Sequence, residues 1–472
     1  MNREPSLDIL RGLAIFGMVL SGSIAFGGVL PAWMYHAQVP PPLHQFDPSL
    51  PGITWVDLVF PFFLFSMGAA FPLALQGAIK QQKSFLYFFK LSAKRFFLLA
   101  FFALFTQQLK AWVISADPGA TDHILSLLAF ALLFGILNSR WSGLAARFKN
   151  WIRVVCFIIA IALLAALPFR GGAGFDLYKS DIILMVLANM AFVGSLVYYF
   201  TAHRLLIRLL ILAVVGAVII TAREPLDSPV KSFFYFQEMA GFKFDWLYKF
   251  YFLKYLFIVI PGTIVGEWMQ SASWKEQPAA PPKVQRIYAI TVVVLLIGFL
   301  YLLLNRQQAV ALAGRSIWIL FLVGSASICW LYRTCQRQAI NDTMLLGWGL
   351  LLMGLVLEPY EGGIKKDPST FSYYFICSGF AALLLPLFRF LSALPAGRFI
   401  LTPLGDIGKN PMLAYVTGSL LLLPVLSLTG LKPFWDSLVH SAWQGLLKGL
   451  LFTAAVVVVT RFSVQKKWFW KT

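Results

Sequence analysis

Apolar runs of about 20 residues recur along this chain from end to end, broken by short polar connections. Runs of that length predict α-helices that cross a membrane, because backbone groups exposed to hydrocarbon find no partner and a helix satisfies its own. The segments lie near residues 7–30, 53–79, 85–108, 121–138, 151–168, 180–201, 203–221, 246–270, 284–304, 308–332, 342–358, 369–390, 409–429 and 440–461. The pairs 180–201/203–221 and 308–332/342–358 have short connections, so the expected number is about 12–14 transmembrane helices. The fold class is all-α, a polytopic transmembrane helical bundle. It reads as a single integral-membrane domain over residues 1–472, with a possible seam at the Pro- and Ala-rich linker 271–283, SASWKEQPAAPPK. No internal repeat is visible, which weighs against an inverted-repeat transporter.

Composition agrees. The chain is 59% hydrophobic and 12% charged, where soluble domains carry about a quarter charged residues. Its net charge of +19 does not point to nucleic acid. The charges sit in short clusters between apolar runs, as the excess of Lys and Arg in cytoplasmic loops produces. The inner-side clusters are Lys80, Lys83, Lys90, Lys94 and Arg95, then Arg140, Arg147, Lys149 and Arg153, then Lys275, Lys283 and Arg286, and at the tail Arg461, Lys466, Lys467 and Lys471. With strict alternation both termini are cytoplasmic. The first apolar run starts at once, is long and lacks a cleavage site, unlike a secretory signal. Cys156, Cys329, Cys335 and Cys377 make no CxxC pair and read as packing residues. The connection 222–254 alternates aromatics with lysines, which reads as an interfacial belt or, alternatively, a sugar-stacking surface.

Candidate chemistry gathers on the predicted outer side. The stretch GITWVDLVFPFFLFSMG, 52–68, carries one carboxylate, Asp57, about a turn inside its helix, and a buried acid in a membrane helix has a task or a partner. The Pro- and His-rich loop before it holds His36 and His44. On this topology His36, His44, His123 and His440 lie outside and His203 inside. Histidine moves protons near neutral pH, so an outer group suggests proton transfer on the non-cytoplasmic side, although each one alone also reads as a surface residue. His44 precedes the Asp57 helix. His123 follows Asp122 at the mouth of a segment, where Thr121–Asp122 also reads as a helix N-cap. Asp8 and Arg11, three apart, face one another on a helix, either as an interfacial ion pair or as an inner-side phosphate contact. EPYEGGIKKDPSTFSYYF offers Glu358, Glu361, Lys365, Lys366, Asp367, Ser372 and Tyr373. In LGDIGKNPMLAYV, Asn410 before Pro411 either caps the helix or binds a ligand at its N-terminus. HExxH, GxSxG and P-loop motifs are absent from the sequence, as is any Asp/His set with metal spacing.

Five stretches, SLDILRGLAIFGMVL, GITWVDLVFPFFLFSMG, IKKDPSTFSYYF, GKNPMLAYV and the terminal QKKWFW, together resemble the heparan-α-glucosaminide N-acetyltransferase family of membrane acetyltransferases and its bacterial relatives. The resemblance implies an enzyme that takes acetyl-CoA from the cytoplasm and acetylates an amino sugar across the membrane. In that family an outer histidine just before the DLVFP helix is catalytic. The matching residue here is His44, with His36 next in line because the loop to Gly52 is longer than the family's. Asp57, Lys366, Ser372, Asn410 and Tyr415 fall on matching motif positions. The chain carries more hydrophobic segments than the family core and no lumenal domain ahead of the first helix, which implies a bacterial inner-membrane setting.

The expectation is therefore a transmembrane acyltransferase with His44 and Asp57 catalytic. His123, Glu358, Lys366, Ser372, Asn410 and Tyr415 are expected to bind the amino sugar or glycan. Asp8, Arg11, Arg95 and Lys409 are expected to bind acetyl-CoA, a co-substrate, with no metal. Partners are membrane lipids, the glycan acceptor and a second copy in a homodimer, and no nucleic acid. The rival is a proton-coupled secondary transporter of a sugar or lipid-linked sugar, with Asp57 as the coupling acid. A non-catalytic membrane partner in envelope assembly comes third.

Overall fold

A computed structural model describes residues 4–24, 30–139, 145–169, 172–222, 229–239, 241–275, 281–304, 310–335, 338–439 and 441–472. The main helices in chain order are α1 (Pro5–Ser21), α2 (Trp55–Lys80), α3 (Phe85–Gln108), α4 (Ala120–Leu137), α5 (Ala146–Ala166), α6 (Ile182–Thr201), α7 (Leu205–Thr221), α8 (Leu256–Trp268), α9 (Pro282–Leu304), α10 (Val310–Thr334), α11 (Gln338–Leu357), α12 (Phe371–Ala393), α13 (Pro395–Lys409), α14 (Pro411–Leu428) and α15 (Ala442–Gln465). Among the described residues 10 helices are long and apolar enough to cross a membrane. The chain is an all-α, multi-pass membrane protein. Of the other apolar helices, α1 and α7 have 17 residues each, and α3 carries Lys90, Lys94 and Arg95 in its first half. Two short strands, β1 (Glu238–Met239) and β2 (Phe242–Lys243), pair antiparallel in the aromatic connection.

The chain divides into two compact units. Unit 1 comprises Met1–Lys83, Val197–Leu212 and Tyr255–Gly408, and unit 2 comprises Ser84–Leu196, Ala213–Lys254 and Lys409–Thr472. The linker at 271–283 lies inside unit 1, not at a seam. Packing between distant segments sets the division, and residues 276–280 of the linker lie outside the described residues.

In unit 1, α2, α8 and α12 are the most buried of the spans. Helices α2 and α8 touch backbone to backbone: a Cβ on Gly68 would lie 2.1 Å from the Val259 carbonyl oxygen, and one on Gly262 2.4 Å from that of Phe65. Small residues are what let membrane helices approach this closely. Elsewhere in the unit Arg208 is fully buried. Its guanidinium donates to Glu267 Oε1 at 2.7 Å, Thr263 Oγ1 at 3.0 Å, Thr201 Oγ1 at 3.1 Å and the Thr201 carbonyl at 2.9 Å. A lone arginine inside an apolar run thus ties the end of α6 and the start of α7 to α8.

In unit 2 the C-terminal segment folds back on the end of α4. The Lys471 N–H donates to the Leu137 carbonyl at 2.9 Å and the Ser139 N–H to that of Phe469 at 2.8 Å. Trp470 packs against Phe130 and Phe134. Helix α14 contains a π-helical stretch, Thr417–Leu422, a local irregularity that often accompanies functional sites.

Candidate functional site

The start of α2 explains where Asp57 points. Thr54 is the N-cap, and its side-chain oxygen accepts from the Val56 N–H. Asp57, three residues on, returns Oδ2 to the Thr54 N–H at 3.0 Å. This capping box folds the carboxylate back over the helix start, where the helix dipole favours negative charge. The preceding loop then closes on it. The Thr54 hydroxyl donates to the Tyr35 carbonyl at 2.7 Å, and the Ala37 N–H donates to Asp57 Oδ2 at 3.1 Å. Capping thereby occupies Oδ2 and leaves Oδ1 for a neighbour, and His36 Nδ1 lies 2.8 Å from it. The Asp57 side chain is 3% exposed and that of His36 39%.

Lys366 joins the pair from the α11–α12 connection. Its Nζ lies 3.2 Å from the same His36 Nδ1. The connection is pinned to the His36 loop. Gln38 Nε2 donates to the Asp367 carbonyl at 2.6 Å, the Asp367 N–H donates to Gln38 Oε1 at 3.0 Å, and the Gly52 N–H donates to the Ile364 carbonyl at 2.8 Å. From α12, the Tyr373 hydroxyl donates to the Asp57 carbonyl at 2.8 Å. Burial pushes the Lys366 ammonium below the ordinary lysine range, opposed by the negative charge of Asp57.

Among the described residues both side-chain contacts of the imidazole use Nδ1, which leaves Nε2 as the nitrogen for a reactant. An aspartate on one ring nitrogen with the other free is the arrangement of a general base, in which the acid holds the tautomer and stabilises the imidazolium.

His44, the expected catalytic histidine, is not the one that meets Asp57. It adopts a positive φ of 49° and packs edge-on against Tyr35, with ring centroids 4.4 Å apart. The capping box decides between the two. Its carboxylate bonds the Ala37 N–H, so the adjacent side chain, His36, is the one within reach.

Ser372 is buried at the first turn of α12, where its hydroxyl donates to Thr370 Oγ1 at 2.9 Å and its N–H to Glu361 Oε2 at 2.7 Å. Glu358 is buried just after α11. Asn410 occupies the N-cap position of α14 but makes no side-chain cap bond, so the capping reading fails. Its amide instead donates to the Trp468 carbonyl at 2.8 Å and accepts from the Trp470 N–H at 3.1 Å. Tyr415 donates to Asp181 Oδ2 at 2.7 Å. His123 lines a cavity of about 640 Å³ in unit 2, with Trp112, Ser427, Lys432 and Asp436 among its walls. The neighbouring cap is Gly119, whose N–H donates to Asp122 Oδ2 at 2.9 Å; Thr121 lies within α4.

Of the expected CoA ligands, Arg11 pairs with Asp8 at 3.4 Å and also donates to the Gly408 carbonyl at 3.3 Å and the Ser66 carbonyl at 3.5 Å. Its guanidinium thus bridges α1, α13 and α2. Arg95 is half-buried on α3, and Lys409 is half-buried at the end of α13. Asp8 and Arg11 belong to unit 1, Arg95 and Lys409 to unit 2. His440 and Arg140 lie outside the described residues.

Within unit 1 the structure therefore joins His36, Asp57 and Lys366, with Tyr373, one of the polar residues of the EPYEGGIKKDPSTFSYYF stretch, as a support and with Thr54 and Gln38 as supports that sequence reasoning missed. Thr54 was detectable as T-x-x-D before an apolar run, a variant of the capping-box signature. Gln38 and Tyr373 carry no local signal of what they bond.

A family model described as a domain of unknown function, DUF5009, matches residues 3–269. The chain belongs to that family. The matched region contains His36, Thr54, Asp57 and the Arg208–Glu267 pair and ends before Lys366. No curated protein matches the chain.

Proposed function

We propose that this chain is an integral-membrane acyltransferase of a bacterial inner membrane, moving an acetyl group from cytoplasmic acetyl-CoA to an amino sugar or glycan on the periplasmic side. The observation that supports it is the His36–Asp57 dyad at the start of a membrane helix, within a stretch that resembles the membrane acetyltransferases. The acceptor amine attacks the thioester carbonyl, the C–N bond forms and the C–S bond breaks. His36 Nε2 takes the amine proton and returns it to the departing sulfur. Asp57 holds the ring proton on Nδ1 and offsets the positive charge of the imidazolium. Arg11 of unit 1 is a candidate partner for a CoA phosphate; Arg95 and Lys409 belong to unit 2.

The test is acetyl transfer from acetyl-CoA to glucosamine by purified protein in proteoliposomes. His36→Ala is expected to lower the rate by about 10²–10⁴-fold, the usual contribution of a positioned general base. His44→Ala is expected to keep activity within about threefold, because its ring serves packing against Tyr35. Full activity in folded His36→Ala would overturn the assignment. One observation favours a second reading: Lys366 near Asp57 places opposite charges at the end of spanning helices, as proton-coupled carriers do. Sugar accumulation in vesicles without acetyl-CoA would be its signature.

A further inference from the structure

One ring nitrogen in the site has two partners of opposite character. His36 Nδ1 lies 2.8 Å from Asp57 Oδ1 and 3.2 Å from Lys366 Nζ. In a neutral imidazole Nδ1 either carries a proton or presents a lone pair. With the proton, it donates to Asp57, and an ammonium at 3.2 Å would set donor against donor. With the lone pair, it accepts from Lys366, and Asp57 Oδ1 at 2.8 Å would set acceptor against acceptor. Only a neutral Lys366 amine leaves the Asp57 contact free of such a clash. Asp57 cannot turn away at low cost, because its Oδ2 is held by the Ala37 and Thr54 N–H groups.

We propose that Lys366 is a positioning residue that sets the tautomer of His36. As a neutral amine it leaves Nδ1–H to Asp57 and Nε2 free to take a proton. As an ammonium it claims Nδ1, moves the ring proton to Nε2 and closes the site.

The groups acting on Lys366 come from three elements. Asp57 belongs to α2, Asp367 to its own connection, and Cys377 to α12. Both acids favour the ammonium and burial disfavours it, with burial the larger effect. On His36 the charges are those of Asp57 and Lys366. Tyr373, also from α12, is committed to the Asp57 carbonyl. The connection holding Lys366 is fixed by Gln38, two residues from His36. The lysine and the ring are therefore presented to each other by one hydrogen-bonded unit.

This inference deepens the acyltransferase reading, but its primary readout does not require turnover. The full chain, labelled with ¹⁵N-histidine in detergent, is titrated from neutral to alkaline pH. The His36 resonances are assigned by their absence in His36→Ala. The expected result is a rise of the Nδ1–H tautomer with pH in wild type. In Lys366→Met that tautomer should dominate throughout the range in which the ring is neutral. Lys366→Arg, which stays charged, should hold the ring as Nε2–H at every pH. In the acetyl-transfer assay the rise of kcat/KM toward alkaline pH that Lys366 imposes should vanish in Lys366→Met, and Lys366→Arg should lose about tenfold or more. Lys366→Gln, checked by thermal unfolding, serves if Lys366→Met does not fold. The same tautomer in wild type, Lys366→Met and Lys366→Arg at all pH values would overturn the proposal. If wild type transfers no acetyl group but the tautomer follows Lys366, the acyltransferase reading fails while this one stands.

Discussion

Asp57→Asn separates the two duties of this carboxylate, because the amide keeps the shape and loses one acceptor. Oδ2 accepts from the Ala37 N–H at 3.1 Å and the Thr54 N–H at 3.0 Å, while Oδ1 faces His36 Nδ1 at 2.8 Å. The asparagine can place its oxygen on only one side. Placed toward His36, it leaves two backbone N–H groups facing an NH₂, at about 1–3 kcal/mol each for a buried unpaired donor. Placed toward the backbone, it keeps both of those bonds. The second orientation wins by about 2–6 kcal/mol, at least about 30-fold in population. Its NH₂ then points at His36 Nδ1, which must present a lone pair, and the ring proton moves to Nε2, where it blocks proton uptake. The fold should survive. The variant loses the charge assistance of three hydrogen bonds and a favourable charge at the α2 N-terminus, and it gains from burying no ion, a net cost of about 1–3 kcal/mol. Activity should fall by about 10²–10⁴-fold in kcat with little change in KM. The assay is acetyl transfer by purified protein in proteoliposomes, with thermal unfolding in detergent as the fold control. A folded Asp57→Asn within about threefold of wild type would refute the dyad argument.

Three further predictions concern the scaffold. A Cβ on Gly408 would lie 1.7 Å from the Asp8 carbonyl oxygen, while one on Gly405 would meet nothing closer than Ile9 at 3.6 Å. Gly408→Ala should therefore destabilise by more than the usual overpacking cost of about 1–3 kcal/mol and Gly405→Ala by far less, read by thermal unfolding. Arg208→Met leaves Glu267 without its 2.7 Å partner and should cost about 3–5 kcal/mol; adding Glu267→Gln should recover part of it, and no recovery would argue against a paired site. Because burial holds Lys366 below its ordinary range, the folded state binds that proton more weakly than the unfolded state. Stability should rise with pH between the folded value and the ordinary value of about 10.4, and that slope should be absent in Lys366→Met.

Part of the site was legible in the sequence. Asp57 stood out as a lone acid a turn inside an apolar run, and the loop before it carried two histidines. Which histidine meets Asp57 was not legible, because His36 and His44 share one Pro-rich loop and the same residue type. Asn410 looked like a cap because a helix begins at Pro411, yet its amide holds the chain some 58–60 residues later. Arg208 had a local signal, a cation within an apolar run, but its acid lies 59 residues away.

The sequence by itself determined the all-α membrane architecture and the approximate place of most of its apolar helices, although α13 (Pro395–Lys409) falls between two predicted segments and α8 begins at Leu256 where the predicted run begins at 246. Hydrophobic length is a local quantity, and the demand that each backbone group be satisfied within its own segment leaves one solution. Tertiary structure decided the division into two units, the choice of His36 over His44, and the arrival of Lys366 at a ring 330 residues away in the chain. Those pairings depend on where a capping box aims a carboxylate and on which connection another loop pins beside it. Neither leaves a periodic trace in the residues that do it.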